Sequence, residues 1–160
     1  MRDSEMDIEL LVAGLADTPR RIADLAAGRG DVELRSRPSE EAWSAREILA
    51  HLRACADVWG KAIDRMLAEN GPTIRHLSPR SWIRKTDYLE TEFWPALESF
   101  AEQRRMLVEA LSGLDPLGWS RTATVTSPGN RRSATVLTYA ERMRDHELRH
   151  LDQLRRTIQE

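Results

Sequence analysis

Three histidines lie on, or at the edge of, the apolar faces of predicted helices, where polar side chains are not expected. His146 and His150 are four residues apart, so on a helix their imidazoles lie one turn apart on one side. His51 lies at the edge of the apolar stripe of another helical segment. Imidazoles suit zinc, nickel, iron and copper, and two of them one turn apart can bind a single ion. The spacing predicts a divalent metal site with His146 and His150 as ligands and His51 joining from a facing helix.

A structural explanation of the same histidines stays open. Inward histidines often donate hydrogen bonds to backbone carbonyls and bind nothing else. The positions of the three residues along their helices favour the metal site over this structural explanation. If their helices are antiparallel, His51 lies about seven residues after the start of one, and His150 about eight residues before the end of the other. At about 1.5 Å of rise per residue the two side chains are level to within a turn.

Glu147 lies between the two histidines, and together they spell H-E-x-x-H, the signature of zinc proteases. A protease is excluded, because such enzymes take a third ligand downstream and no histidine follows His150 in this sequence. The local chemistry remains: a carboxylate beside a metal ligand can accept a proton from a bound water or thiol. Glu147 is therefore the predicted catalytic base. Alternatively, it holds a ligand histidine or pairs with an arginine.

Two further residues are candidates of a weaker kind, and a third is not. Arg104 falls on the inward face of the third helical segment, where it either clamps a substrate carboxylate or pairs with Glu147. Cys55, one turn after His51, is either a fourth ligand or a small buried hydrophobe. His76 matches no apolar stripe and is predicted to be a solvated loop residue.

Four long amphipathic segments carry these residues, and they cover roughly residues 4–27, 44–67, 89–111 and 135–158. The second begins with a capping box at Ser44-Ala45-Arg46-Glu47. Pro19 should kink or split the first. A short hairpin is expected around Ser127-Pro128-Gly129-Asn130. Four such helices bury their stripes most simply as a bundle, so an all-α four-helix bundle is predicted, in one domain over residues 1–160.

Composition limits the classes of partner. The chain has 160 residues, of which 41% are hydrophobic, and its 24 basic and 26 acidic residues give a net charge of −2. The charge gives no whole-chain argument for nucleic acid, and no apolar run is long enough for a membrane span. A single cysteine excludes an internal disulfide framework. The opening MRDSEMDIELL has no pattern of a secretory signal, so a cytoplasmic location is expected.

Two motifs carry a family resemblance. Trp43-Ser44-x-x-Glu47-Ile48-Leu49-Ala50-His51-Leu52 resembles the W-S-x-x-E-[IV]-L-x-H-L opening of the DinB-like metal-binding superfamily. The segment from Asp145 to Leu154 resembles that family's H-E/D-x-x-H-x-x-Q ending. Weaker similarities are Thr18-Pro19 and the pattern Phe100-x-x-x-Arg104-x-x-Leu107.

The resemblance implies a bundle of up-down-down-up connectivity, often a homodimer. It also implies a divalent metal, commonly zinc or nickel, held by His51, His146 and His150. Family members include thiol-dependent transferases and isomerases, which use a low-molecular-weight thiol such as bacillithiol or mycothiol, and hydrolases. The connection from Asn70 to Thr86 matches no motif of the family and is where substrate specificity would be set.

Two hypotheses of function follow. In the first, the protein is a metal-dependent enzyme that activates a thiol or water against a small-molecule substrate. In the second, it is a non-catalytic, metal-stabilised bundle that binds a ligand or has a stress-related role. Dimerisation through exposed Trp82 or Trp94 and the first helix is a further expectation.

Overall fold

The structure is a computed structural model that describes residues 2–159, with side chains from residue 3 onward. Four long helices dominate it, joined by three short helices, one 3-10 turn and three short strands. In chain order these are α1 (Arg2–Ala26), α2 (Asp31–Arg35), α3 (Ala45–Ala68), β1 (Thr73–Arg75), α4 (Pro79–Ile83), the 3-10 turn (Tyr88–Glu90), α5 (Phe93–Ser112), α6 (Pro116–Trp119), β2 (Thr122–Ser127), β3 (Asn130–Thr135) and α7 (Val136–Gln159).

The long helices form the predicted bundle with the predicted connectivity. α1 and α3 each pack against both α5 and α7, which places α1 and α3 at diagonal corners. One core cluster joins the first half of α1 to the ends of α3 and α5 and the start of α7: Leu15, Met66, Leu111, Val136. A second joins the end of α1 to the starts of α3 and α5 and the end of α7: Ile22, Leu52, Phe100, Leu154. The helices therefore run up, down, down and up.

The start of α3 is fixed by the capping box that the sequence predicts. The Ser44 hydroxyl accepts from the Glu47 backbone N–H at 3.1 Å, and the Glu47 carboxylate accepts from the Ser44 N–H at 3.1 Å. These two bonds satisfy N–H groups that have no partner inside the helix. With Ala45 as the first helical residue, His51 lies between one and two turns inside α3.

Of the kink or split predicted at Pro19, the split is not observed, because α1 continues through this residue. Proline has no N–H to offer the carbonyl one turn earlier, which is that of Leu15. That carbonyl accepts instead from Nη1 of Arg104 on α5, at 2.9 Å. The helix thus continues because a side chain from its neighbour replaces the missing backbone donor.

A three-stranded sheet closes one end of the bundle, with β1 parallel to β2 and β2 antiparallel to β3. The predicted hairpin is confirmed: Ser127 pairs with Asn130 across Pro128 and Gly129, whose φ is 73°. Positive φ suits glycine, which has no Cβ to clash. β1 was not predicted. It has only three residues and forms by pairing with a strand about fifty positions further along the chain.

The connection between α3 and α5 is held against α3 by one carboxylate. Asp57 accepts hydrogen bonds from Trp82 Nε1 at 2.8 Å, Tyr88 Oη at 2.5 Å and Gln103 Nε2 at 2.5 Å. Burial, followed by the bond to Asp57, raises the pKa of Tyr88 to about 12. Trp82 is therefore half-buried in its own chain, and so is Trp94, whose indole N–H donates to the Arg29 carbonyl at 3.2 Å. Neither tryptophan therefore offers the exposed aromatic surface through which dimerisation was predicted.

Across residues 2–159, every helix falls short of the combination of length and apolar character that a membrane crossing requires.

Candidate metal centre

The structure brings the three predicted histidines together at the interface of α3 and α7. Nε2 of His51 lies 3.1 Å from Nε2 of His146, and Nε2 of His150 lies 3.0 Å from the same atom. All three rings thus point the same kind of nitrogen at one small volume. The two α7 residues meet because they are one turn apart, while His51 arrives because α3 and α7 are antiparallel and packed together.

These spacings fit a shared cation. Two nitrogens at ~2.1 Å from one ion, with an angle of ~90–109° between them, are roughly 3.0–3.4 Å apart. A hydrogen-bonded cluster fits less well, because a neutral imidazole has only one N–H. Nδ1 of His150 faces Oε1 of Gln153 at 2.7 Å, and an amide oxygen accepts a hydrogen bond. The proton of His150 is therefore on Nδ1, which leaves the Nε2 lone pair directed at the cluster.

The protein environment keeps these imidazoles neutral. Burial lowers the pKa of His51 to about 4 and the pKa of His146 to about 3, and it also lowers the pKa of His150. Near neutral pH the rings are uncharged, which is the form that binds metal. The cluster is thus a set of lone-pair donors without charge of its own.

Cys55 also belongs to this cluster. Its Sγ lies 3.6 Å from Nε2 of His51 and 3.9 Å from Nε2 of His146, and ligand atoms of these three residues all lie within 4.8 Å of one another. A sulfur at ~2.3 Å and a nitrogen at ~2.1 Å from a tetrahedral ion are roughly 3.6 Å apart. Burial raises the pKa of the Cys55 thiol to about 12, so without an ion this residue is a neutral thiol. The position of Cys55 one turn after His51 was evident from the sequence, whereas its proximity to α7 was not.

Two tryptophans pack against the imidazoles, and neither was predicted from the sequence to belong to the site. The ring of Trp43 lies 5.2 Å from that of His51 and is stacked nearly parallel to that of His150, at 6.5 Å and 9°. Trp59 packs edge-on against His146 at 5.0 Å. Nδ1 of His146 is buried without a hydrogen-bond partner among the described residues, so packing against Trp59 orients this ring. Trp43 begins the W-S-x-x-E motif, which was the available signal.

An open groove of about 570 Å³ lies in front of His146 and His150. Trp43 and Pro38 form one side, and Arg149, Gln153 and Arg156 of α7 form the other. This volume is in the range of small-molecule sites. His76, by contrast, is exposed in the β1–α4 connection, away from this groove, as predicted.

The sequence model of the DinB superfamily matches residues 15–154, which include all three histidines and both motifs. The chain belongs to the DinB superfamily. Among solved structures, this DinB protein is similar to YfiT from Bacillus subtilis, described as a probable metal-dependent hydrolase with an unusual four-helix bundle topology. The two share 18% identity with a TM-score of 0.73, over 93% of this chain and 86% of YfiT. At that identity the likeness shows the fold. No curated protein sequence matches this chain.

Glu147 and Arg104 of this DinB protein pair with each other inside the bundle. Their exposed fractions are 2% and 1%. Nη1 of Arg104 donates to Oε1 of Glu147 at 2.7 Å, and Nη2 donates to Oε2. Thr18 adds a third donor to Oε1 at 3.0 Å. The sequence left Arg104 as either a substrate clamp or the ion-pair partner of Glu147, and these contacts are those of the ion pair. Neither residue lines the groove, so their roles as catalytic base and substrate clamp stay predictions that no contact supports.

This hydrogen-bond network joins three helices of the DinB fold, which are α1, α5 and α7. Thr18 and the freed Leu15 carbonyl come from α1, Arg104 from α5 and Glu147 from α7. The Thr-Pro pair and the inward arginine, which gave only weak similarity to the family, thus act together. Because Glu147 directly follows His146, the network fixes the rotation of α7 that points His146 and His150 at His51.

Replacing Gln153 by Leu is expected to weaken metal binding by roughly ten-fold or more, since it removes the acceptor that holds the His150 tautomer. Calorimetric titration with Zn²⁺ would measure this. Gln159 on the same helix is an exposed control, and Gln159→Leu should leave the affinity unchanged. Equal affinities in the two variants would contradict the role given to Gln153.

Proposed function

We propose that this DinB protein is a metal-dependent enzyme whose divalent ion is held by His51, His146 and His150. The observation that carries the proposal is the convergence of three Nε2 atoms, of which that of His146 lies 3.1 Å from His51 and 3.0 Å from His150, beside an open groove that His146 and His150 line. Three imidazole ligands leave coordination positions for water or substrate. Zinc and nickel are the proposed ions, since both accept imidazole nitrogen.

The chain's own residues prepare the site in distinct ways. A divalent ion, when bound, lowers the pKa of a coordinated water or thiol, which becomes the nucleophile. Gln153 fixes the tautomer of His150, and Trp43 shields the rings of His51 and His150 from one side. The buried Arg104–Glu147 pair positions α7 without touching the groove.

The groove favours a small-molecule substrate. Its volume of about 570 Å³ suits such a ligand, and the two charged side chains that line it, Arg149 and Arg156, are both cationic. Hydrolysis is supported by the fold shared with YfiT, described as a probable metal-dependent hydrolase. Transfer of a low-molecular-weight thiol to an electrophile is the other reaction that we propose for this site.

The proximity of Cys55 favours a second candidate function. If Sγ of Cys55 joins the three nitrogens, the ion has four protein ligands and no open position, as in structural zinc sites. The protein would then be a metal-stabilised bundle without turnover. Cys55 thus distinguishes the two functions.

Metal analysis of purified His51→Ala and His76→Ala tests the ligand assignment. We expect about one divalent ion per chain in the wild type and in His76→Ala, and a loss of most metal from His51→Ala, because removing a ligand from a three-ligand site weakens binding strongly. His76 is a matched control, since it is exposed and away from the cluster. The same metal content in both variants would remove the proposed centre.

Cys55→Ser then separates the enzyme from the structural bundle. As an enzyme with three ligands, the protein should keep its metal in Cys55→Ser and show metal-dependent turnover with p-nitrophenyl esters, or with 1-chloro-2,4-dinitrobenzene and cysteine as the thiol. Loss of metal from Cys55→Ser, together with no turnover in the wild type, would establish the structural bundle instead.

Three further predictions accompany this proposal. The homodimer would place the exposed apolar side chains of α1 and α5 at its interface, among them Met6, Leu10 and Met106. Light scattering at increasing protein concentration would show whether the molar mass is that of a dimer. The cytoplasmic location and the absence of a nucleic-acid partner stay predictions from the sequence.

A further inference from the structure

A second cleft lies beyond Trp59 on the sheet side of the same α3–α7 interface. Its volume is about 110 Å³, and Trp59 and Tyr139 form part of its wall. No acidic residue lines it. Basic side chains from four parts of the chain surround it: Lys61, Arg65, Arg75, His76, Arg132, Arg142. We refer to these residues and the space between them as the basic cleft.

The basic cleft holds four arginines. On the rest of the surface some exposed arginines pair with carboxylates one turn away, as Arg20 does with Asp17 and Asp24, and others, such as Arg149, form no ion pair among the described residues. Within the described side chains, Arg75, Arg132 and Arg142 form no ion pair. Arg65 does pair, with Glu69 at 2.8 Å. Several cations without carboxylates around one cleft repel one another and attract an anion.

Arg132 occupies a position where the sheet would ordinarily carry an apolar side chain. It pairs with Val125 on β2, which in turn pairs with Ile74 on β1. Val125 is 2% exposed and Ile74 packs against the core. Side chains alternate between the faces of a strand, so Arg132 lies on the same inward face as Ala134, whereas its neighbour Arg131 lies on the outer face. Arg132 is half-buried and has no carboxylate partner among the described residues, so its charge is available to an anion in the cleft.

We propose that the basic cleft binds a phosphate group of a small molecule. Arginine forks match the oxygens of phosphate, and cations from several directions suit a tetrahedral, multiply charged anion better than a planar carboxylate. The cleft is small, at about 110 Å³, so it suits one such group. This site goes beyond the proposed metal-dependent function and does not depend on it.

The basic cleft is close to the candidate metal centre. Trp59 lines the cleft and packs against His146, and Arg142 precedes His146 by one helical turn. A phosphate-bearing ligand in the cleft would therefore be a neighbour of the metal ligands. A substrate with its phosphate here would have the rest of its structure near the centre.

Calorimetric titration with inorganic phosphate tests the proposal in matched variants. Arg132→Gln should weaken phosphate binding roughly ten-fold or more, because it removes a charge-assisted hydrogen bond. Arg131→Gln, one residue away on the outer face, should leave the affinity within about two-fold. Arg142→Gln on α7 repeats the test from another element, and circular dichroism checks that each variant is folded. Equal affinities in Arg131→Gln, Arg132→Gln and Arg142→Gln would overturn the site.

Three further titrations identify the ligand and its place. His150→Ala should bind phosphate like the wild type, since loss there would put the anion on a metal ion and contradict the cleft. Acetate should bind far more weakly than phosphate, and equal binding would reject the phosphate assignment. A single-stranded DNA oligonucleotide should not bind in an Arg132-dependent way. Metal content, measured in each variant, reports separately on the metal-dependent function.

Discussion

Arg104→Met is expected to lower the free energy of unfolding by about 3–5 kcal/mol, because it leaves the buried carboxylate of Glu147 without its counter-ion. Methionine has a similar length, so little volume is lost. The substitution also removes the donor to the Leu15 carbonyl, which Pro19 cannot satisfy. Urea denaturation followed by circular dichroism would measure the change.

Arg105→Met is the matched control for this result. Arg105 is the next residue on α5, is exposed, and pairs with Glu102 and Glu109 along its own helix. Exposed pairs of this kind contribute about 0–1 kcal/mol, so the control should be nearly neutral. The double variant Arg104→Met, Glu147→Met should recover much of the stability, since two apolar side chains replace both charges. A loss in Arg104→Met no larger than that in Arg105→Met would show that the ion pair does not hold the bundle.

Removal of the metal is expected to lower the free energy of unfolding by about 4 kcal/mol relative to protein with free ion at about a thousand times its Kd. The ion would bind only the folded chain, because His51 lies some 95 residues from His146 and the unfolded chain does not hold them together. Thermal unfolding with Zn²⁺, with Ni²⁺ and with a chelator would measure the shift.

His146→Ala should abolish this response to metal. Nε2 of His146 is the atom common to both short contacts of the cluster, and its loss leaves only two imidazole ligands. His76→Ala should respond like the wild type. If His146→Ala were stabilised by Zn²⁺ as much as the wild type, the ion would be binding at another place on the protein.

Local features of the site and fold were predictable from the sequence. The pairing of His146 with His150 follows from helical periodicity alone, and the capping box at Ser44 and Glu47 lies within four residues. The hairpin at Pro128 and Gly129 is equally local. Each of these was predicted and observed because the interacting groups are neighbours along the chain, so the backbone geometry of one element decides their separation.

Other features could not be predicted without the tertiary structure. The sequence could only offer Glu147 as a partner for Arg104, whereas the structure shows the pair buried with Thr18 and away from the groove. β1 has three residues and no pattern of its own, and it exists because β2 pairs with it. Trp43, Trp59 and Cys55 belong to the candidate centre only because α3 packs against α7.

By itself, therefore, the sequence determined the four long helices, the capping box that begins α3 and the two histidines that one helix places side by side. Tertiary structure alone decided that His51 reaches them, that Arg104 satisfies both Glu147 and the carbonyl freed by Pro19, and that arginines from separate elements surround one cleft. The physical reason is that periodicity and capping act over a few residues, whereas contacts between distant residues depend on the relative rotation and depth of packed helices.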